Sequence, residues 1–261
     1  MSNLPIGILD SGFGGLSVMK AIRDILPKET LIYAADCECA PWGDRDNDYI
    51  NERIDVLVSF LQAHHIKALV LACNTATAVG AQRLRDTLSI PVIGIEPAVL
   101  PAMRATQTGV VGVMATVKTI ESEKYAHLKT HVNANIRVID CPCPGLMECV
   151  EAGDFHSPHT YDLIKHFVNP LLKEGVDQIV LGCTHYPFLR EAIQAVAGPH
   201  VTLIDPSPAV ARHLSHTLEE AQLLADNDTG REYFYITGAN AERAKVLHHL
   251  WSSDAQLLAL P

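Results

Sequence analysis

No apolar run in this chain approaches the roughly 18 residues that a membrane-spanning helix needs. No basic, apolar leader opens it: Met1-Ser2-Asn3-Leu4-Pro5 runs directly into a strand, so a cytoplasmic protein without a targeting segment is expected. Positive charge is scarce. Charged residues are 19% and the net charge is −10, which argues against a nucleic-acid groove or an anionic membrane surface as partner. Low-complexity and coiled-coil segments are absent. No Cys-x-x-Cys occurs, which weighs against a redox protein. The seven cysteines, an odd number with no secretory signal, read as reduced thiols. Cys37-x-Cys39 and Cys141-x-Cys143 are spaced more tightly than structural zinc ligands, so these are expected to be packing cysteines and no metal is expected. Neither dinucleotide nor P-loop glycine spacing is present.

What the chain does have is regular alternation. Apolar residues make up 48%, enough for one large domain or two modest ones. Short apolar runs predict strands at Ile6–Leu9, Leu31–Ala35, Ala68–Ala72 and Val92–Ile95, then at Val110–Met114, Arg137–Ile139, Gln178–Leu181 and Val201–Ile204. Amphipathic stretches between them predict helices at Leu16–Ile25, Asp48–His65, Ala76–Leu88, Ile120–Val132, His159–Lys173 and Phe188–Ala197. This is the βαβ pattern of an α/β fold with mainly parallel sheets flanked by helices. Ala98–Thr108, with Pro101, reads as the boundary between two halves. After Asp205 come two further helices, Ala209–Ala221 and Ala239–Trp251, with a strand at Tyr233–Ile236 between them. If that tail packs back on the first half, the domains are 1–97 plus 209–261, and 98–208.

The halves resemble each other. Ile66-Lys-Ala-Leu-Val-Leu-Ala-Cys73-Asn74-Thr75 matches Gln178-Ile-Val-Leu-Gly-Cys183-Thr184-His185: an apolar run ending in a cysteine and small polar residues. Ile6-Gly-Ile-Leu-Asp10-Ser11 matches Val111-Gly-Val-Met-Ala115-Thr116, Asp36-Cys37 matches Asp140-Cys141, and Glu96-Pro97 matches Asp205-Pro206. Matches in one order at nearly constant separation predict two pseudo-symmetric domains with the active site between them.

In an open α/β sheet, ligands bind beyond the carboxyl ends of the strands. Asp10, Cys37, Cys73, Glu96, Thr116, Cys183 and Asp205 lie at such ends on this reading. Cys73 and Cys183 also precede helix starts, where backbone N–H groups would lower a thiol pKa. Buried cysteines normally lie within an apolar run; these end one, followed by groups that can hydrogen-bond an anion. We therefore expect the pair to face each other across one pocket. Asp10-Ser11-Gly12-Phe13-Gly14-Gly15 follows a strand and opens a helix; its glycines either admit a ligand or merely turn the chain. His185, two residues beyond Cys183, is placed to assist proton transfer. Glu151, taken alone, is most simply an exposed carboxylate at a helix end.

Together these motifs resemble the glutamate racemases of the aspartate/glutamate racemase superfamily. The matching stretches are Asp10-Ser-Gly-Phe-Gly-Gly15, Pro41-Trp42-Gly43, Ala72-Cys-Asn-Thr-Ala76, Ala115-Thr-Val-Lys-Thr119, Val150-Glu-Ala-Gly153 and Leu181-Gly-Cys-Thr-His-Tyr-Pro187. The resemblance implies cofactor-independent interconversion of L- and D-glutamate, supplying D-glutamate for peptidoglycan, and often a homodimer. It implies Cys73 and Cys183 as the two bases, with Asp10, Glu151 and His185 assisting. It implies Ser11, Trp42, Gly43, Asn74, Thr75, Thr119 and Thr184 as substrate-holding residues, alongside Asp10 and His185. Two positions depart from the family: Trp42 stands where Tyr is commoner, and Ala115 where Gly is. The first is expected to narrow the pocket mouth. A long amino-terminal extension, as in members activated by a cell-wall precursor, is not seen, so that control is not expected.

The chemistry suits such a pair. Inverting an α-carbon requires a proton to leave one face and another to arrive on the opposite face, and two bases do this without turning the intermediate over. Aspartate racemase is the near rival, but typically carries Glu after Cys-Thr, where His185 stands here. A non-catalytic binding protein on this fold is the rival from another class; loss of one cysteine would have signalled it, and both are present.

Overall fold

The computed structural model describes residues 2–130 and 135–260. The first half runs β1 (Ile6–Asp10), α1 (Leu16–Ile25), β2 (Leu31–Ala35), α2 (Asn47–Ala63), β3 (Ala68–Leu71), α3 (Asn74–Thr87) and β4 (Val92–Gly94). The second runs α4 (Val99–Ala105), β5 (Val110–Ala115), α5 (Val117–Glu121), α6 (Glu123–Thr130), β6 (Arg137–Pro142), α7 (Leu146–Glu151), α8 (Pro158–Lys173), β7 (Gln178–Gly182), α9 (Arg190–Ala197) and β8 (Thr202–Ile204). A 3₁₀ turn, Tyr186–Leu189, leads into α9. The tail adds α10 (Ser207–Glu220), β9 (Glu232–Ile236), α11 (Ala241–Leu250) and β10 (Leu257–Ala259).

All strand pairs are parallel. The sheets are ordered β10-β9-β2-β1-β3-β4 and β6-β5-β7-β8. Without the tail strands the first order is β2-β1-β3-β4, which is the second order with each strand replaced by its counterpart. The internal similarity read from the sequence is thus a similarity of topology. β1, β2, β3 and β7 are buried along their whole length, which is why they are apolar throughout rather than alternating. One apolar cluster joins the halves, from Ile6 and Ile8 through Leu16 and Met19 to Met114, Ile179 and Leu181.

Local chemistry explains where the sequence reading and the structure part. The predicted helix Ile120–Val132 is two helices broken at Ser122, whose backbone is extended and whose Oγ accepts the Tyr125 N–H at 3.2 Å. A serine offering its own oxygen to the next turn starts a new helix there. Val132, the predicted end, lies outside the described residues. The stretch read as an interdomain boundary holds α4, because Pro101 falls in its first turn, where no N–H is needed. Val99, Ala102 and Met103 pack it on Val111, Val113 and Val180. β10, which pairs with β9, and the short α7 were not expected. α9 starts later than Phe188, after the 3₁₀ turn.

The site follows from the strand order. In each sheet the chain reverses direction of winding between its first and third strands, and such a switch point opens a crevice at the carboxyl ends. Asp10 closes β1 and Cys73 follows β3 in one crevice; Thr116 follows β5 and Cys183 follows β7 in the other.

Candidate active site

Cys73 is the N-cap of α3, which begins two residues earlier than expected. Its Sγ accepts the Ala76 N–H at 3.4 Å and lies 3.6 Å from Ser11 Oγ. Cys183 differs: it is followed by the 3₁₀ turn, and its Sγ lies 3.5 Å from His185 Nδ1. His185 Nε2 in turn lies 2.7 Å from Glu151 Oε1. That oxygen also accepts the Phe13 N–H, at 2.5 Å, from the glycine-rich loop. Glu151 is therefore not the exposed carboxylate its local sequence suggests; it ends α7 with a side chain only 16% exposed and ties Cys183's histidine to the first half.

The Asp10 loop and the start of α1 meet the second half at two further points, through Thr184, and one bond braces the loop itself. Thr184 Oγ1 donates to Asp10 Oδ2 at 3.2 Å, Gly12 N–H donates to Oδ1 at 2.8 Å, and Ser17 Oγ donates to the Thr184 carbonyl at 2.9 Å. The glycines serve this approach. None of Gly12, Gly14 or Gly15 has a positive φ. A Cβ on Gly12 would run into Glu151 Oε1, one on Gly14 would stand 2.5 Å from Thr184 Oγ1, and one on Gly15 would stand 2.8 Å from Asp10 Cβ.

A second seam is built from hydroxyls. Thr75 Oγ1 lies 3.2 Å from Thr116 Oγ1, which donates to Thr119 Oγ1 at 3.0 Å. Thr116, expected at a ligand-facing strand end but not among the substrate-holding residues, is the N-cap of α5. Gly43 packs against Thr116, where a Cβ would come within 3.2 Å of the threonine Cβ. Trp42 is a packed wall: its ring is buried with Leu9, Ile50 and Cys73, and its N–H donates to Asp36 Oδ2 at 3.3 Å. Asp36, unforeseen from sequence, also accepts two bonds from Arg53, at 2.7 and 2.8 Å, and one from Thr237 at 3.0 Å. Asn74 is 4% exposed, yet neither its Oδ1 nor its Nδ2 has a hydrogen-bond partner. Buried amides are rarely left so, and this one is suited to a ligand carboxylate or ammonium. Ser11, Thr75, Thr119, Thr184 and His185 are all at least as buried as Asn74. Among the described residues no group of three or more His, Cys, Asp or Glu is arranged to hold a metal ion.

The electrostatics differ from the expectation of a helix-stabilised thiolate. Burial pushes the Cys73 thiol up to about 12, aided by the charge of Asp10; the Ala76 N–H and Ser11 offset only part of this. For His185, burial opposes the charged form, but the hydrogen bonds and charges of Cys183 and Glu151 prevail and raise its pKa well above the usual value. Burial lifts Asp10 to about 6, while His185 and the Gly12 N–H pull it back.

Asp10 accepts bonds as a carboxylate, so kcat/KM should fall as the pH drops through about 6. Asp10→Asn should lower kcat more than it raises KM and remove that acid limb. A parent profile flat down to about pH 5 would show that Asp10 is not needed as the anion. For stability the sign is reversed from that of a salt-bridged carboxylate. The folded pKa lies above the unfolded value of about 3.9, so the contribution is full below that value and is lost as pH rises through about 6.

Known proteins share this fold and sequence pattern. The model of the Asp/Glu/hydantoin racemase family matches residues 6–214. The chain belongs to this family. It thereby stands among the racemases, a class of isomerases, as its motifs imply. Glutamate racemase from Stutzerimonas stutzeri is 46% identical over 258 residues, covering 98% of this chain and 97% of the relative. The glutamate racemase of Bacillus anthracis has the same fold with a TM-score of 0.91 at 35% identity, covering 100% of this chain and 98% of that one. The Francisella tularensis enzyme, solved with D-glutamate, gives 0.87 at 30% identity, covering 100% and 98%.

Proposed function

We propose that this chain is a glutamate racemase that works without a cofactor, using Cys73 and Cys183 as opposed acid and base. The observation that carries this reading is that two buried cysteines follow corresponding strands, β3 and β7, and each contacts a buried polar group, Cys73 that of Ser11 and Cys183 that of His185. The bonds Thr184–Asp10 and Phe13–Glu151 cross between the halves beside them, and Cys183 is near enough to Cys73 to add slightly to the burial and Asp10 charge that raise the Cys73 pKa. The structure of a relative holding D-glutamate supports the substrate.

In the L-to-D direction, Cys183 takes the α-proton and Cys73, held as a thiol by burial, delivers one to the opposite face. In reverse the roles exchange, and Asp10 is the acceptor that helps Cys73 lose its proton. His185, anchored by Glu151, serves Cys183. Asn74, Thr75, Thr119, Thr184 and Ser11 hold the substrate, and their hydrogen bonds to its carboxylate stabilise the developing carbanion. The enclosure of the site means that glutamate enters when the halves separate, for which 1–97 plus 209–261 and 98–208 are the natural bodies. The same reading includes a homodimer in the cytoplasm and D-glutamate destined for peptidoglycan. No helix among the described residues is long and apolar enough to cross a membrane.

The test is chiral chromatography of the purified protein with L-glutamate and no added cofactor, before and after dialysis against EDTA. D-glutamate should form in both cases, and kcat/KM for aspartate should be far lower. A preference for aspartate, or activity lost on chelation and restored by a divalent ion, would overturn the proposal.

A further inference from the structure

Outside the site, the densest thiol chemistry lies at the free edge of the second sheet. β6 is an edge strand, and Cys141 is its penultimate residue; Cys143 follows after Pro142. Their Sγ atoms are 3.8 Å apart. Both are free thiols. Side chains two apart on an extended strand share a face, and a rise of about 3.3 Å per residue spaces their Cα atoms by about 6.6 Å, within the span a disulfide bridges. Cys141 is half-buried and lines a cleft of about 540 Å³ together with Ile139, His166, Phe167 and Pro170, so a small solute reaches it. Cys143 lies behind it at 3% exposure, its thiol 3.1 Å from the Cys141 carbonyl. Besides the Cys143 sulfur, the Cys141 thiol has a long contact, 3.6 Å, to the Phe167 carbonyl.

We propose that Cys141 and Cys143 are an oxidation site, in which the Cys141 thiolate attacks hydrogen peroxide and Cys143 closes on the product to form a disulfide. In the first step the Cys141 thiolate attacks a peroxide oxygen; the O–O bond breaks, Cys141 becomes a sulfenic acid and water leaves once the departing hydroxide takes a proton. In the second step Cys143 attacks the Cys141 sulfur, the S–O bond breaks, and the thiol proton leaves with the hydroxide as a second water. Two thiols lose two electrons and the peroxide gains them.

The order of events follows from the surroundings. The hydrogen bond from Cys143 lowers the Cys141 pKa against the opposing effect of burial, and burial raises Cys143. Cys141 is therefore the thiol that ionises and is reached first, and Cys143 resolves it. Cys73 is the contrast: 6% exposed, with a thiol lifted to about 12, it is shielded from the same oxidant. The proposal does not rest on the racemase reading. It goes beyond the expectation that Cys141 and Cys143 only pack.

The test is graded hydrogen peroxide on the whole protein, followed by iodoacetamide, digestion and mass spectrometry. The peptide carrying Cys141 and Cys143 should lose two hydrogens and both alkylation sites before the Cys73 peptide changes, and dithiothreitol should restore it. In Cys143→Ser, Cys141 should be captured as a dimedone adduct, because the resolving thiol is gone. Both thiols remaining alkylatable at peroxide levels that oxidise Cys73 would overturn the proposal. So would a Cys141 sulfinic acid formed while Cys143 still alkylates.

Discussion

Cys73→Ser and Cys183→Ser should each lower kcat by about 10²–10⁴-fold in both directions, the range that a positioned acid–base group contributes. Each thiol serves one face of Cα, and both faces must be served in every turnover. Serine cannot substitute, because its alkoxide scarcely forms near neutral pH. Cys73→Ser keeps the Ala76 N–H and Ser11 as neighbours, so the fold around α3 has no reason to change. Deuterated water adds a second readout. With the parent enzyme, solvent deuterium should appear at Cα of the product, while the unreacted enantiomer stays almost unlabelled at early times. Labelling of substrate as fast as product, with either variant still racemising normally, would mean that one base works both faces and would end the opposed-cysteine reading.

The strands and the thiols of this site were legible for a simple reason. A parallel strand covered on both faces is written as a short apolar run, and a polar residue or cysteine at its end marks the crevice. Asp10, Cys73 and Cys183 carry that signature, and the repeat doubled it. What stayed hidden is tertiary. Glu151 looks like any helix-end carboxylate until folding brings Phe13 N–H and His185 to the same oxygen. The rise of the Cys73 pKa comes from burial that no local window records, and it outweighs the helix-start N–H that the sequence does reveal. Ser122 could have been read as a cap, but the apolar spacing on both sides of it continued the helical period and masked the break. β10 was missed because three residues, Leu257–Ala259, are too few to show a period.

The glycine-rich loop is where this difference has its largest expected consequence. Gly14→Ala should lower kcat/KM by about 10²-fold or more, the loss expected when catalytic groups are displaced by about an ångström. A methyl group at Gly14 would overlap His185 Nδ1 and stand 2.5 Å from Thr184 Oγ1. Neither neighbour has room to yield. His185 is held by Glu151 at 2.7 Å, and Thr184 by Asp10 through its hydroxyl and by Ser17 through its carbonyl. The methyl group must therefore push the second half's loop away from the first, which carries Cys183 and His185 away from the Asp10 side and loosens Thr184 from Asp10. Backbone strain is not the cause, because φ at Gly14 is not positive and alanine can adopt it. Circular dichroism and a thermal melt measured alongside separate this from unfolding, since α1 and β1 on either side keep their own packing. A Gly14→Ala enzyme that is folded and within about threefold of the parent would show that this loop does not set the position of His185.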